Sequence, residues 1–261
     1  MNAKPILAMK DPMQPQPAEL AKNVTVVILA GGLGTRIKHL HPETPKPMIA
    51  GLGRPFLYWL TAYFSHFGLS RFIYSTGYRG DKIALWCQDD SLPGLERIAR
   101  QEPEPWGTGG GLLNCLDLCD AWVLVANGDS LCIGGIEALL AQTHNGTVDG
   151  ALLAVHRDDT ARYGSLGIDD NGLLSSFDEK VAGAGYVNGG TYLFRVSALR
   201  QFPQRRVLSI ENDMFPRLLS QDARIGVIPL RDAPFIDIGT PDSLAAVDAF
   251  LLTHKAYFAK R

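Results

Sequence analysis

The sequence predicts an α/β fold, a doubly wound and mostly parallel sheet with helices on both faces, and three observations carry it. Val24, Val26, Val27, Ile28 and Leu29 form an almost unbroken apolar run, which is how a strand covered on both faces reads. A second such run, Trp122 to Ala126, recurs far downstream. Between them strand and helix patterns alternate, as successive β-α-β units require. Phe56, Leu57, Leu60, Phe64 and Phe67 recur at helical spacing, with Gly68 as the residue that ends the helix. Residues 72–74 predict a strand, 81–86 a helix and 95–99 another strand. From Ala151 to Phe194 the composition shifts toward strands, with Arg162-Tyr163-Gly164-Ser165 leading into a hairpin that turns at Asp170-Asn171-Gly172. Ser209 is placed as an N-cap with Glu211 and Asp213 in the first turn. Thr240 caps a last helix that has Pro241 at its first position and runs through Leu244, Val247 and Leu251.

Composition narrows the class. At 261 residues, with 46% hydrophobic and 20% charged residues, the chain has ample material for one sizeable core. A net charge of -2 without any Lys/Arg run argues against a nucleic-acid partner. Cys87, Cys115, Cys119 and Cys132 form no CxxC pair, so they predict buried thiols and neither a zinc cluster nor a disulfide framework. Residues 1–23 contain Pro5, Pro12, Pro15 and Pro17 but no long apolar core, so they are expected to be a flexible extension preceding a single domain over 24–261. No membrane-spanning stretch is expected, and the cytoplasm is the expected compartment.

The chemistry begins where the first strand stops. Ala30, Gly31, Gly32, Leu33 and Gly34 strip side chains from a turn, letting amide N–H groups approach phosphate oxygens. Thr35 and Arg36 follow, and Lys46 stands in a segment stiffened by Pro42, Pro45 and Pro47. Two cations beside a glycine turn suit a polyphosphate. The loop is not a Walker loop, because Thr35-Arg36 stands where Lys-Ser/Thr is required. It is not a dinucleotide fingerprint either, because Ile37 stands where the third glycine belongs. A second glycine-rich turn, Glu102 to Gly111, follows another strand. A carboxylate accepts both adjacent donors of guanine, N1–H and the N2 amino group, so Glu102 or Glu104 leans the reading toward that base. Asn127-Gly128-Asp129 ends the strand at Ala126, where an acid is either a helix cap or a divalent-metal ligand. Asp237 sits among Phe235, Ile236 and Ile238, costly for an acid unless paired or on a metal. Together the two acids suit one Mg²⁺.

These segments resemble the signature of the sugar-phosphate nucleotidylyltransferases. GGxGTRL appears as Gly31 to Ile37, with only Ile37 departing, and the proline-flanked lysine as Thr44-Pro45-Lys46-Pro47. A close relative of the base-and-sugar loop E-x-P-L-G-T-G-G appears as Glu104-Pro105-Trp106-Gly107-Thr108-Gly109-Gly110, with Trp106 in the Leu position. The pattern F-x-E-K appears as Phe177 to Lys180, followed by Asn188-Gly189-Gly190 and then Asp237 to Pro241. Within that superfamily the chain is similar to the D-glycero-α-D-manno-heptose 1-phosphate guanylyltransferases of bacterial surface-polysaccharide synthesis.

The resemblance implies a Rossmann-like, three-layer, mixed and mostly parallel sheet, the nucleotide-diphospho-sugar transferase fold. It implies that Arg36 with Ala30, Gly31, Gly32, Gly34 and Thr35 holds the NTP phosphates, and that Lys46 acts on the α-phosphate and the incoming phosphate. Glu102 or Glu104 with Gly107, Thr108 and Gly109 would meet the base and ribose. Asn127, Glu179, Asn188, Gly189 and Glu211 would line the sugar, Lys180 would take its phosphate, and Asp129 and Asp237 would hold Mg²⁺. The implied substrates are GTP and a sugar 1-phosphate, with uridylyl or thymidylyl transfer as the alternative. Two other classes stay open. A metal-dependent glycosyltransferase usually carries an Asp-x-Asp pair, which this chain lacks, and a non-catalytic nucleotide-binding module would not need the intact cations. Phe250, Leu251, Tyr257 and Phe258 leave a homo-oligomer open.

Overall fold

The computed structural model describes residues 17–32, 34, 37, 39–160, 165–178 and 183–259. Arg36, Thr35, Glu179 and Lys180, as well as the Arg162-Tyr163-Gly164 segment, therefore lie outside the described residues. The helices are α1 (Pro17–Leu20), α2 (Phe56–Ser65), α3 (Gly80–Trp86), α4 (Gly107–Leu113), α5 (Ile136–Asn145), α6 (Val196–Leu199), α7 (Phe215–Leu219), α8 (Pro241–Ala245) and α9 (Val247–Thr253). The strands are β1 (Val24–Ala30), β2 (Ala50–Gly51), β3 (Arg54–Pro55), β4 (Arg71–Thr76), β5 (Glu96–Gln101), β6 (Trp122–Asn127), β7 (Ser130–Cys132), β8 (Gly150–Arg157), β9 (Ser165–Ile168), β10 (Leu174–Asp178), β11 (Gly185–Arg195), β12 (Ile225–Leu230) and β13 (Phe235–Asp237).

Among the described residues nine strands form one mixed sheet, and β5, β4, β1 and β6 run parallel in that order. Beyond them, β11 pairs antiparallel with β6, β8 and β9 along different parts of its length, and β12 runs parallel to β8. The run at Val24–Leu29 is apolar for the expected reason. Val24, Val26 and Ile28 pack into a core with α1, α2, α3, α5 and α9, whereas Val27 faces a second core with α4, α6 and α7. Thr25 is the exception, fully buried but satisfied, because its hydroxyl donates to Asp120 Oδ2 at 2.8 Å and accepts from the Asp120 amide at 3.0 Å.

Several expectations shift. Leu20 and Ala21 are buried in the same core as α5, so packing reaches back past the expected boundary at Val24. The last helix breaks at Ala246 into α8 and α9. Leu251 is buried in the core and Phe258, in the 3-10 turn that follows, meets Trp59 of α2 edge-on at 5.2 Å, whereas Tyr257 is exposed. Cys115 and Cys132 are buried, Cys87 and Cys119 half-buried, and none forms a disulfide. Burial pushes the Cys87 and Cys132 thiols up to about 11 and Cys119 to about 12, which removes them as nucleophiles near neutral pH. Among the described residues no helix is long and apolar enough to cross a membrane.

Strand order positions the site. From β1 the chain moves to β4 and β5 on one side, then crosses back to β6 on the other. The crevice beyond the carboxyl ends of β1 and β6 is thus the point where winding reverses, the place where open α/β sheets bind ligands.

Candidate active site

Two adjoining cavities open at this crevice. The larger, about 400 Å³, is lined by Ala30 at the end of β1 with Gly31, Gly32 and Gly34 after it, by Lys46, by Glu102, Gly107 and Thr108 of the second glycine turn, and by Asn127 at the end of β6 with Asp129 beyond it. The smaller, about 280 Å³, shares Asn127 and Asp129 and adds Ser130, Arg157, Asn188, Gly190 and Asp237. Residues expected at the nucleotide and at the sugar therefore meet around Asn127 and Asp129.

Lys46 projects from a 3-10 turn over Lys46–Met48 that is framed by Pro45 and Pro47, whose rings fix the backbone on both sides. Only 8% of its side chain is exposed, and its Nζ lies 2.5 Å from Asp129 Oδ2 and 3.5 Å from Asp237 Oδ1. The two acids converge because of a two-strand ladder. β7 pairs antiparallel with β13 so that Asp237 lies opposite Ser130, and the Ile238 amide donates to the Asp129 carbonyl at 2.8 Å. Asp237 is 45% exposed and accepts from the Gly239 amide, so the desolvation expected from its apolar neighbours is largely avoided.

Glu102 lines the same cavity. It is 8% exposed, accepting from the Ser75 hydroxyl on Oε1 and from the Trp106 amide on Oε2, both at 3.0 Å. Burial raises its carboxyl above the usual carboxylate range, and the Trp106 amide and Ser75 hydroxyl pull it back. Gly31 makes this approach possible, because a Cβ there would stand 2.7 Å from Glu102 Oε1. Glu104, the other expected base reader, is exposed and accepts from the Trp106 indole at 3.2 Å. The Gly109 amide, also expected at the nucleotide, donates instead to the Leu208 carbonyl at 2.7 Å and pins α4 to the segment before Ile210.

On the sugar side the ladder between β8 and β11 shifts register between Asn188 and Tyr192. Gly190 sits in that irregularity at φ 69°, a left-handed conformation favouring glycine, and the side chains of Asn127 and Ser130 crowd it. Its amide donates to Asn188 Oδ1 at 2.9 Å. Gly189 instead faces the Leu153 carbonyl on β8. Glu211, expected at a sugar hydroxyl, is already committed: it accepts from Tyr192 at 2.6 Å, Ser209 at 3.1 Å, Thr108 at 3.4 Å and Asn188 at 3.5 Å. That carboxylate ties the base loop to the bulge on β11. Tyr192 is fully buried at its centre, and sequence reasoning missed it because an aromatic residue inside a strand reads as core. Tyr192→Phe is expected to cost about 1–3 kcal/mol by leaving Asn188 and Glu211 short of a partner. Thermal denaturation checks this; an unchanged melting temperature would show that the hydroxyl contributes nothing.

Ser75, at the end of β4, was also missed, although polar residues closing an apolar strand are a signal for it. The capping expectations hold: Ser209 accepts from the Asn212 amide, and Thr240 forms a capping box with Ser243. The first turn after Ser209 is a π turn over Ile210–Met214.

Comparisons with known proteins identify the family. The nucleotidyl transferase family profile matches residues 25–254. The chain belongs to that family. The D-glycero-alpha-D-manno-heptose 1-phosphate guanylyltransferase of Campylobacter jejuni is 31% identical over 217 residues, 83% of this chain and 95% of that protein. The mannose-1-phosphate guanylyltransferase of Mycobacterium tuberculosis is 31% identical over 233 residues, 88% of this chain but 65% of that longer protein. The crystal structure of HddC from Yersinia pseudotuberculosis complexed with GMP-PN matches with a TM-score of 0.74 at 32% identity, covering 86% of this chain and 98% of that one. The family expected from the glycine loop and the proline-flanked lysine is the family found.

Proposed function

We propose that this nucleotidyl transferase moves a guanylyl group from GTP to a sugar 1-phosphate, D-glycero-α-D-manno-heptose 1-phosphate first among them, and releases pyrophosphate. The observation that carries the base assignment is Glu102, a buried carboxylate on the wall of the larger cavity, oriented by Ser75 and Trp106. An acceptor-only group matches the two adjacent donors of guanine, and uracil and thymine present one donor between two acceptors. Two guanylyltransferases and a GMP-PN complex among the similar proteins support the same base. The smaller cavity, adjoining at Asp129, is the place for the acceptor.

The acceptor phosphate is ionised near neutral pH and needs no general base. One of its oxygens bonds to the α-phosphorus while the bond from that phosphorus to the bridging α–β oxygen breaks, and the electron pair leaves with pyrophosphate. The barrier is electrostatic, because two anions must meet while charge grows on the leaving group. Lys46, fixed between its prolines, supplies positive charge at the junction of the cavities, and the turn at Gly31 and Gly32 brings backbone close to the phosphates. Arg36, Lys180 and Glu179 keep their proposed roles at the triphosphate, sugar phosphate and sugar.

Asp129 and Asp237 fit Mg²⁺ because both carboxylates already converge on one cationic group. Among the described residues no third acidic, histidine or cysteine ligand joins them, which leaves room for substrate phosphates and water. Bound there, the ion would neutralise phosphate charge. A panel of GTP, UTP, dTTP and CTP against heptose, mannose and glucose 1-phosphates, read by pyrophosphate release, tests the proposal. GTP with heptose 1-phosphate is expected to be fastest. Refusal of GTP with acceptance of another triphosphate would sink the guanylyl assignment, and silence with every sugar 1-phosphate would sink the acceptor assignment.

A further inference from the structure

Arg157 has no task in the scheme above. It closes β8 and reaches the smaller cavity, where its guanidinium carbon stands 5.4 Å over the Phe235 ring. Its cross-strand neighbour on β11 is Gly185, which carries no side chain of its own, although the Thr160 methyl lies close by. Val155, two residues earlier on the same face, pairs with Val187 and builds with Cys132 and Phe235 an apolar floor beneath it. The guanidinium forms no ion pair among the described residues, and its one hydrogen bond is a long 3.5 Å contact from Nη1 to the neighbouring His156 carbonyl. Among the described residues most donors of this cation are thus unused, and it faces a cavity whose other charged walls are Asp129 and Asp237.

The charge balance there decides what such a group meets. Lys46 is shared by both carboxylates, so it does not by itself offset an entering phosphate, which carries about 1.5 to 2 negative charges at neutral pH, and a guanidinium on this cavity adds to what Mg²⁺ and Lys180 would supply. A planar guanidinium stacked on an aromatic ring, with its fork free, matches a tetrahedral oxyanion by two parallel hydrogen bonds. We propose that Arg157 binds the phosphate of the acceptor sugar 1-phosphate, an inference that rests on the acceptor assignment made above.

Steady-state kinetics of Arg157→Gln and Arg157→Lys test it. The KM for the sugar 1-phosphate is expected to rise about 10- to 100-fold in the glutamine variant, by the same factor for every sugar 1-phosphate the wild type accepts. The lysine variant is expected to recover part of the loss, and the KM for GTP to stay within about twofold, since Arg157 does not line the larger cavity. Inhibition by inorganic phosphate competitive with the acceptor should weaken in parallel. An unchanged acceptor KM would overturn the proposal. So would a rise confined to particular sugars, which would make Arg157 a reader of hydroxyls. Failure of the underlying acceptor assignment shows separately, in wild-type enzyme that releases no pyrophosphate with any sugar 1-phosphate, and it would remove this proposal with it.

Discussion

Lys46→Met is expected to lower kcat by about 10²- to 10³-fold, the scale seen when one preorganised electrostatic donor is removed from an active site. Methionine keeps the unbranched stem that packs beside Gly34 and deletes only the ammonium. The side chain is 8% exposed and its ammonium lies within 3.5 Å of both Asp129 and Asp237, and among the described residues no other cation lines the larger cavity. The fold should survive. The two acids left behind are 39% and 45% exposed, keep much of their hydration, and repel each other by no more than about 1 kcal/mol. Pyrophosphate release under saturating substrates measures the effect, and a melting curve separates it from unfolding. A variant that kept kcat within twofold of wild type would remove Lys46 from the chemistry.

Glu102→Gln is expected to lower kcat/KM for GTP by about 100-fold, without a matching loss for UTP or dTTP. The substitution is clean because glutamine can satisfy both protein partners. Its carbonyl accepts from the Trp106 amide, and its NH₂ donates to Ser75, whose hydroxyl turns to accept. Toward guanine, however, it lacks the second acceptor. Stability supplies an independent readout. Burial raises the Glu102 carboxyl in the folded protein, so its contribution to stability is fully present below the unfolded pKa of about 4.3 and is lost as pH rises through the higher folded value. Glutamine does not titrate, so its melting temperature relative to wild type should climb from acid toward neutral pH. An unaltered preference for GTP would show that Glu102 is only a structural carboxylate holding the base loop.

How much of this was legible in advance depends on the range of the interaction. The strand at Val24–Ala30 and the caps at Ser209 and Thr240 are set by neighbours a few residues apart, and each stands where local pattern puts it. The Lys46 turn is similar, since the prolines on either side constrain it directly. Glu102 and Glu104 were indistinguishable by pattern. Only the position of Ser75 at the end of β4 and the close pass of Gly31 separate the buried acid from the exposed one. Glu211 read as a first-turn acid within reach of a sugar hydroxyl, and four donors from α4, β11 and its own turn claim it.

The sequence by itself determined the kind of chemistry: a glycine turn for phosphate, a rigid lysine, and acids at strand ends, because those features are written in adjacent residues. Tertiary structure alone decided who meets whom. The β7–β13 ladder brings Asp237 to Asp129, the crossover from β5 back to β6 opens the crevice, and the bulge at Gly190 places Arg157 and Asn188 on one cavity. Those encounters join residues far apart in the chain, and backbone pairing, not local propensity, sets their geometry.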